Sequence, residues 1–160
     1  MKHSSRLKNS KNIFIFLSAL ILFFVCGPSE RQNSSESGLG KYKPPKLPDA
    51  PAEYQKKKNE LEGKKESIAN GKDTYRRKCE KCHGQKGDGN GKKAAVLAYR
   101  PAEFSKPGYL KTRSDGQLFF IIEKGSPGTD MDAQGPGTSV NLSETEIWEI
   151  ISYLRAEFTK

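Results

Sequence analysis

The stretch Cys79-Glu80-Lys81-Cys82-His83 decides how the rest of this 160-residue chain is interpreted. Two cysteines separated by two residues, with histidine directly after the second, form the attachment pattern of a c-type haem. Both thiols add to vinyl groups on one edge of the porphyrin, and the histidine turns beneath its face to offer a nitrogen to iron. The motif therefore predicts one haem c, attached covalently through Cys79 and Cys82, with His83 as an axial ligand.

Two other uses of this motif compete with haem. A redox-active dithiol normally follows a strand in a βαβ unit, and no such pattern surrounds the motif. A structural zinc site needs about four ligands. The chain offers Cys79, Cys82 and His83, with Cys26 far away in sequence, so the zinc ligand set is incomplete. Haem is the interpretation that the residues favour.

The second axial ligand is sought by elimination. His3 lies in a segment that we expect to be removed, and of the two methionines Met131 is the one that remains. It lies 48 residues after His83 in a turn-rich loop that could cover the opposite haem face. A thioether favours ferrous iron, so a His/Met pair raises the reduction potential and leaves no open position for a substrate. The alternative is that Met131 is an ordinary surface residue.

The apolar spacing around the motif predicts helices and no strands. Four residues share one helical face before the motif: Ile68, Gly71, Tyr75 and Cys79. Capping boxes at 114–117 and 143–146 predict two further helices, and Gly125 stands at the expected end of the first of them. The second helix carries an apolar stripe of Ile147, Ile150, Ile151, Leu154 and Phe158. The intervening segments are rich in Gly and Pro. We expect an all-α fold of about three to four helices, with long loops wrapped around one covalently bound haem, because so few helices bury a thin core.

The amino terminus has the pattern of an export signal. Four basic residues precede a mostly apolar run over 13–25: Lys2, Arg6, Lys8 and Lys11. As a helix the run spans about 20 Å, short of the roughly 30 Å of a bilayer core, which favours a signal peptide over 1–25. Cys26 follows it and resembles the lipidation cysteine of bacterial lipoproteins. This predicts an exported protein on the periplasmic side, anchored to a membrane; an ordinary cleaved signal or a short uncleaved anchor are the alternatives.

Residues 26–65 have no apolar period and are rich in Ser, Pro and Lys, which predicts a flexible tether ahead of a domain over 66–160. The formal charge of +9 lies mostly outside that domain, which holds 15 basic and 13 acidic residues. Nucleic-acid binding is therefore not expected. Within the domain, residues 72–113 carry a charge of +8 and residues 114–160 carry −5. This asymmetry would orient the haem-bearing half toward acidic partners, unless the charges mix in three dimensions.

Residues 67–158 resemble a class I monohaem cytochrome c. The likeness is carried by Gly71, Tyr75, the motif at 79–83 with Gly84, the segments 87–91 and 100–104, the Met131 loop, Trp148, Tyr153 and Leu154. The resemblance implies that the first and last helices cross at Gly71 against aromatic rings. It also implies a hydrogen bond from His83 to a proline carbonyl, matched here to Pro101. Relatives usually place proline after the ligand methionine, where this chain has Asp132.

The segments 87–89 and 100–104 are similar to cytochrome domains that serve quinol-oxidising or oxidase complexes. The predicted function is a single-electron carrier, not an enzyme, which moves electrons from a membrane quinol-oxidising complex to a terminal oxidase or reductase. One alternative is a fixed haem subunit of a larger respiratory complex. Another is a haem enzyme or gas sensor from which Met131 dissociates.

Overall fold

The computed structural model describes residues 46–47 and 49–159, and this part of the chain contains helices and loops without a β-strand. The helices are α1 (Ala52–Gln55), α2 (Lys65–Lys78), α3 (Glu80–His83), α4 (Asp115–Lys124) and α5 (Glu144–Phe158), with a 3₁₀ turn at Ala94–Val96. The all-α prediction is confirmed. Helices α2, α4 and α5 are the three that the sequence predicts. The structure adds two helices of a single turn each, α1 and α3. The predicted signal peptide over 1–25 and Cys26 lie outside the described residues.

Helix α5 begins at the predicted capping box. The Ser143 hydroxyl accepts a hydrogen bond from the Glu146 amide at 3.2 Å, and the Glu146 carboxylate accepts one from the Ser143 amide at 2.9 Å. These bonds satisfy amide groups that an α-helix leaves unpaired at its start. The Ser143 hydroxyl also donates to the Glu146 carboxylate at 2.9 Å, and the hydrogen bonds from the Ser143 amide and hydroxyl together lower the pKa of Glu146. Beyond the cap, four residues of the predicted apolar stripe are buried, and the fifth, Phe158, is partly buried. The buried four are Ile147, Ile150, Ile151 and Leu154.

Helices α2 and α5 cross where α2 carries Gly71. A Cβ atom at this position would overlap the carbonyl oxygen of Glu149 in α5, so hydrogen is the largest side chain that the crossing admits. One turn further along α2, the rings of Tyr75 and Tyr153 have centroids 5.3 Å apart. The close approach of the two backbones thus delivers the end of α2, and Cys79 after it, to the apolar core.

Helix α4 packs its apolar face into the same core and is tied to α5 by Arg155. The Arg155 guanidinium donates to Asp115 Oδ1 at 2.9 and 2.7 Å and to the Leu110 carbonyl at 2.6 Å. The ion pair is largely shielded, since the side chains are 16% and 17% exposed. A guanidinium that meets both a carboxylate and carbonyl groups holds the loop before α4 against α5.

Part of the predicted tether packs on the domain, which differs from the expectation for residues 26–65. Ala50 is 2% exposed, and the ring of Tyr54 in α1 lies against Phe119 and Phe120 of α4. The Asn59 side-chain nitrogen Nδ2 donates to the Trp148 carbonyl of α5 at 3.0 Å. These few anchoring residues are too widely spaced to produce an apolar period, so the sequence pattern does not reveal them. We propose that the tether ends before Ala50.

No helix in the described part of the chain combines the length and the hydrophobicity that crossing a membrane requires.

The helix crossing generates the first prediction. Gly71→Val should lower the free energy of unfolding by about 1–3 kcal/mol or more, because the added side chain must push α2 away from α5. Urea unfolding of the haem-loaded protein measures this loss. Ala69→Val is the matched control, since Ala69 is exposed on the same helix and should lose less than about 1 kcal/mol. Equal losses in the two variants would contradict the account of the crossing.

Candidate haem site

The attachment motif forms one tight turn directly after α2. The Cys79 amide continues the hydrogen bonding of α2 by donating to the Tyr75 carbonyl at 2.8 Å. The amides of Cys82 and His83 then both donate to the Cys79 carbonyl at 3.0 Å. Both cysteines are partly buried and neither is in a disulfide. Cys79, Cys82 and His83 are therefore presented together by a single turn that is fixed to the end of a core helix.

His83 is buried, and a backbone carbonyl group fixes the orientation of its ring. Its Nδ1 atom lies 3.0 Å from the carbonyl oxygen of Ala102, a distance that fits donation from Nδ1–H and leaves Nε2 with a free lone pair. The prediction that the Pro101 carbonyl accepts this hydrogen bond is wrong by one residue, since the acceptor is Ala102. The Pro101 carbonyl instead faces Gly89, where a Cβ atom would come within 2.7 Å of its oxygen. Burial lowers the pKa of His83, which favours the neutral imidazole that binds metal.

Phe104 stacks on His83, a contact that the sequence interpretation did not assign. The two ring centroids are 4.5 Å apart and the planes are inclined by 19°. Phe104 also meets the ring of Tyr75, with centroids 6.3 Å apart. Phe104 belongs to the segment 100–104, which carries part of the cytochrome resemblance. That resemblance is the one feature of the sequence that points to Phe104 as a site residue. The segment 100–104 thus supplies both a hydrogen-bond acceptor and an aromatic face to the imidazole.

A glycine-rich loop wraps the turn of α3. The Gly89 amide donates to the His83 carbonyl at 2.9 Å, and the Gly91 amide donates to the Cys82 carbonyl at 3.1 Å. Gly84 ends α3 with a φ angle of +79°, and its carbonyl accepts a hydrogen bond from the Tyr75 hydroxyl at 2.7 Å. The glycines permit this close backbone approach, so the carbonyl groups at the end of the short helix are satisfied by the loop itself.

Met131 lies in a hydrogen-bonded loop after α4, and its side chain packs against the apolar core. The Met131 carbonyl accepts from the Ser126 amide at 2.8 Å, and the Met131 amide donates to Thr129 Oγ1 at 3.2 Å. Asp132 occupies the position where relatives usually have proline, and its carbonyl accepts from the Gln134 side chain at 2.7 Å. In this chain, hydrogen bonds stabilise the loop at the position where relatives restrict the backbone with a proline ring.

The donor set fits covalent haem better than the two alternatives. Among the described residues, no group of three or more His, Cys, Asp or Glu side chains is arranged to hold a metal ion. Burial, followed by the neighbouring Cys82, raises the pKa of the Cys79 thiol to about 12. A redox-active dithiol needs the opposite, a lowered thiol pKa. Two adjacent cysteines and a neutral, oriented imidazole match what haem c requires.

The fold and this site define a c-type cytochrome domain with the class I cytochrome c fold. Residues 66–154 match the family described as cytochrome c oxidase, cbb3-type, subunit III, and the chain belongs to that family. It therefore carries haem c, attached covalently through Cys79 and Cys82.

This chain is also similar to several solved structures. Cytochrome cL from Methylophaga aminisulfidivorans MPT is 24% identical with a TM-score of 0.48, over 63% of this chain and 61% of that one. Cytochrome cL from Hyphomicrobium denitrificans is 21% identical with a TM-score of 0.45, over 67% of this chain and 62% of that one. A chain of a reducing HAO-like protein complex from Kuenenia stuttgartiensis is 23% identical with a TM-score of 0.52, over 62% of this chain and 47% of that one. This chain spans less than two thirds of each of these chains. No curated protein matches it.

The contact between Gly89 and Pro101 generates the second prediction. Gly89→Ala should displace the Pro101 carbonyl, lengthen the hydrogen bond from His83 to Ala102, and raise the reduction potential because the imidazole becomes a weaker donor. Redox titration of the haem-loaded protein measures the shift. Gly108→Ala is the matched control, since Gly108 has a similar φ of +80° but open space around it. Its potential should not change, and equal potentials in both variants would contradict the role assigned to this contact.

Proposed function

We propose that this protein is a single-electron carrier in which His83 and Met131 are the two axial ligands of one six-coordinate haem c. The observation that carries the proposal is the hydrogen bond from His83 Nδ1 to Ala102, which orients a buried neutral ring with Nε2 available to iron. When bound, the haem supplies a one-electron couple between ferric and ferrous iron.

The residues around the haem have separate tasks in this proposal. Cys79 and Cys82 hold the group, and the Ala102 carbonyl with the Phe104 ring keeps the imidazole in one orientation. Met131 supplies the second ligand from the loop that follows α4. With both axial positions filled by the protein there is no position at iron for a substrate, so we propose a carrier and not an enzyme.

We propose redox proteins as the partners, with a membrane quinol-oxidising complex as donor and a terminal oxidase or reductase as acceptor. The net charge of +8 over residues 72–113, which include the attachment motif, supports acidic docking partners. The family description names an oxidase subunit, and this favours a second candidate, a fixed haem subunit of a larger complex. Stable co-purification with large membrane subunits would select the second candidate; purification as a single chain would select the carrier.

The third prediction concerns the sulfur ligand. Met131→Leu keeps the side-chain volume but removes the thioether, so the ferric protein should lose its sulfur-to-iron charge-transfer band and the ferrous protein should bind carbon monoxide. The reduction potential should fall by on the order of 0.1 V, within the roughly 0.8 V range that axial ligands control. Asp132→Asn, at the neighbouring exposed residue, should retain the band. A wild-type protein that lacks the band, or that binds carbon monoxide readily at neutral pH, would refute the six-coordinate site.

We also propose that the protein is exported and anchored at the periplasmic side of a membrane through lipid on Cys26. The apolar run over 13–25 and the cysteine that follows it support this placement. The anchor would keep the haem domain close to membrane-bound partners at the end of a tether, which raises their effective concentration.

The fourth prediction tests the anchor. Cys26→Ser should move the haem protein from the membrane fraction to the soluble fraction and abolish incorporation of a labelled fatty acid, because the thiol is the acylated group. Ser29→Ala, three residues away, should leave both unchanged. If the wild-type protein is soluble and unlabelled in its own host, the proposal of a lipid anchor fails.

A further inference from the structure

A short segment that precedes the family match packs against α4, and we name residues 50–59 the strap. The Ala50 amide donates to the Gln117 side-chain oxygen at 2.7 Å. At its other end, the Asn59 side-chain nitrogen Nδ2 donates to Ser152 Oγ of α5 at 3.0 Å. The strap is therefore fixed at both ends to helices of the domain. Because the family match begins at residue 66, the strap is an addition to the part of the chain that the family describes.

Tyr54 makes the central contact of the strap. Its hydroxyl donates to Glu123 Oε2 at 2.5 Å, and its ring meets Phe120 edge-on at 5.0 Å. Gly116 lies directly beneath it, where a Cβ atom would overlap the Tyr54 carbonyl oxygen. The hydrogen bond to Glu123 raises the pKa of Tyr54 to about 12, so the phenol remains a donor at any physiological pH. The α4 surface is thus shaped to receive this segment.

Glu123 belongs to the last turn of α4, which is also the base of the Met131 loop. Its side chain is 12% exposed, and its backbone carbonyl accepts a hydrogen bond from the Gly135 amide at 3.1 Å. The neighbouring Ile122 carbonyl accepts from the Gln134 amide at 3.0 Å. The loop over 125–135 therefore leaves the end of α4 and returns to it, and Tyr54 is bonded to the turn where both ends of the loop are attached.

We propose that Tyr54 is a positioning residue for Met131: the strap fixes the last turn of α4 through Glu123, and this turn holds the loop that presents the thioether. The inference rests on the proposed function, in which Met131 is an iron ligand. Removal of the phenolic hydroxyl takes away the shorter of the two contacts to Glu123 Oε2 and leaves the ion pair with Lys124 Nζ at 3.5 Å, which does not involve the strap. The end of α4 then moves more readily, and the thioether leaves iron more often.

The experiment uses the full-length haem-loaded protein with imidazole as the competing ligand. At saturating imidazole, the rate of binding to the ferric protein is limited by dissociation of Met131. We expect this limiting rate to rise roughly tenfold in Tyr54→Phe, the effect of losing one hydrogen bond to a charged group. Glu123→Leu, which has no acceptor oxygen, and the double variant complete a cycle, in which the two changes should be strongly non-additive because each removes the same hydrogen bond.

Tyr153→Phe is the matched control, since it removes a phenolic hydroxyl at the crossing of α2 and α5, away from the loop. Its limiting rate should stay within twofold of wild type. Amide hydrogen exchange gives a readout that does not depend on the iron ligand. The amides of Ser126, Gln134 and Gly135 should exchange faster in Tyr54→Phe, while those in the middle of α5 should not change.

The outcomes separate the two proposals. If the wild-type ferric protein shows no sulfur-to-iron band, ligation by Met131 is refuted, whatever the strap does. If the band is present but Tyr54→Phe matches Tyr153→Phe in both limiting rate and loop exchange, the positioning role of Tyr54 is overturned. Faster exchange throughout α5 as well would show a general loss of stability, and it would also overturn the specific role.

Discussion

The covalent attachment of haem at Cys79 and Cys82 is the constraint on which the rest of this structure depends. A one-turn helix has no stability of its own, because helix nucleation is unfavourable in short segments. The α3 turn is held by its continuation from α2 and by the loop amides that bond its carbonyls. Because α2 crosses α5 at Gly71 with backbone contact, this turn has a defined place relative to the core.

The two side chains that we propose as axial ligands, His83 and Met131, are held in different ways. On the side of His83, consecutive backbone and aromatic contacts from the segment 100–104 fix one ring. On the side of Met131, the loop depends on hydrogen bonds to the last turn of α4, and that turn contacts the strap through Tyr54. His83 is held by its immediate surroundings and Met131 through a helix end, so in the proposed site the sulfur would be the more easily displaced ligand.

The sequence predicts those features whose causes are local. The attachment motif, the capping box at Ser143 and the apolar stripe of α5 each depend on residues within one or two turns, and the structure agrees with all three. The acceptor for His83 could not be placed correctly, since the choice between Pro101 and Ala102 depends on where Gly89 packs. The strap was missed because its contacts join residues more than sixty positions apart.

Mass and absorption measurements on the protein purified from membranes of its own host test the central claim most directly. The account predicts a peptide containing residues 79–83 that carries the mass of one haem, a ferrous c-type spectrum, and no titratable thiol at Cys79 or Cys82. A colourless protein in which both of these thiols react with an alkylating reagent would contradict it.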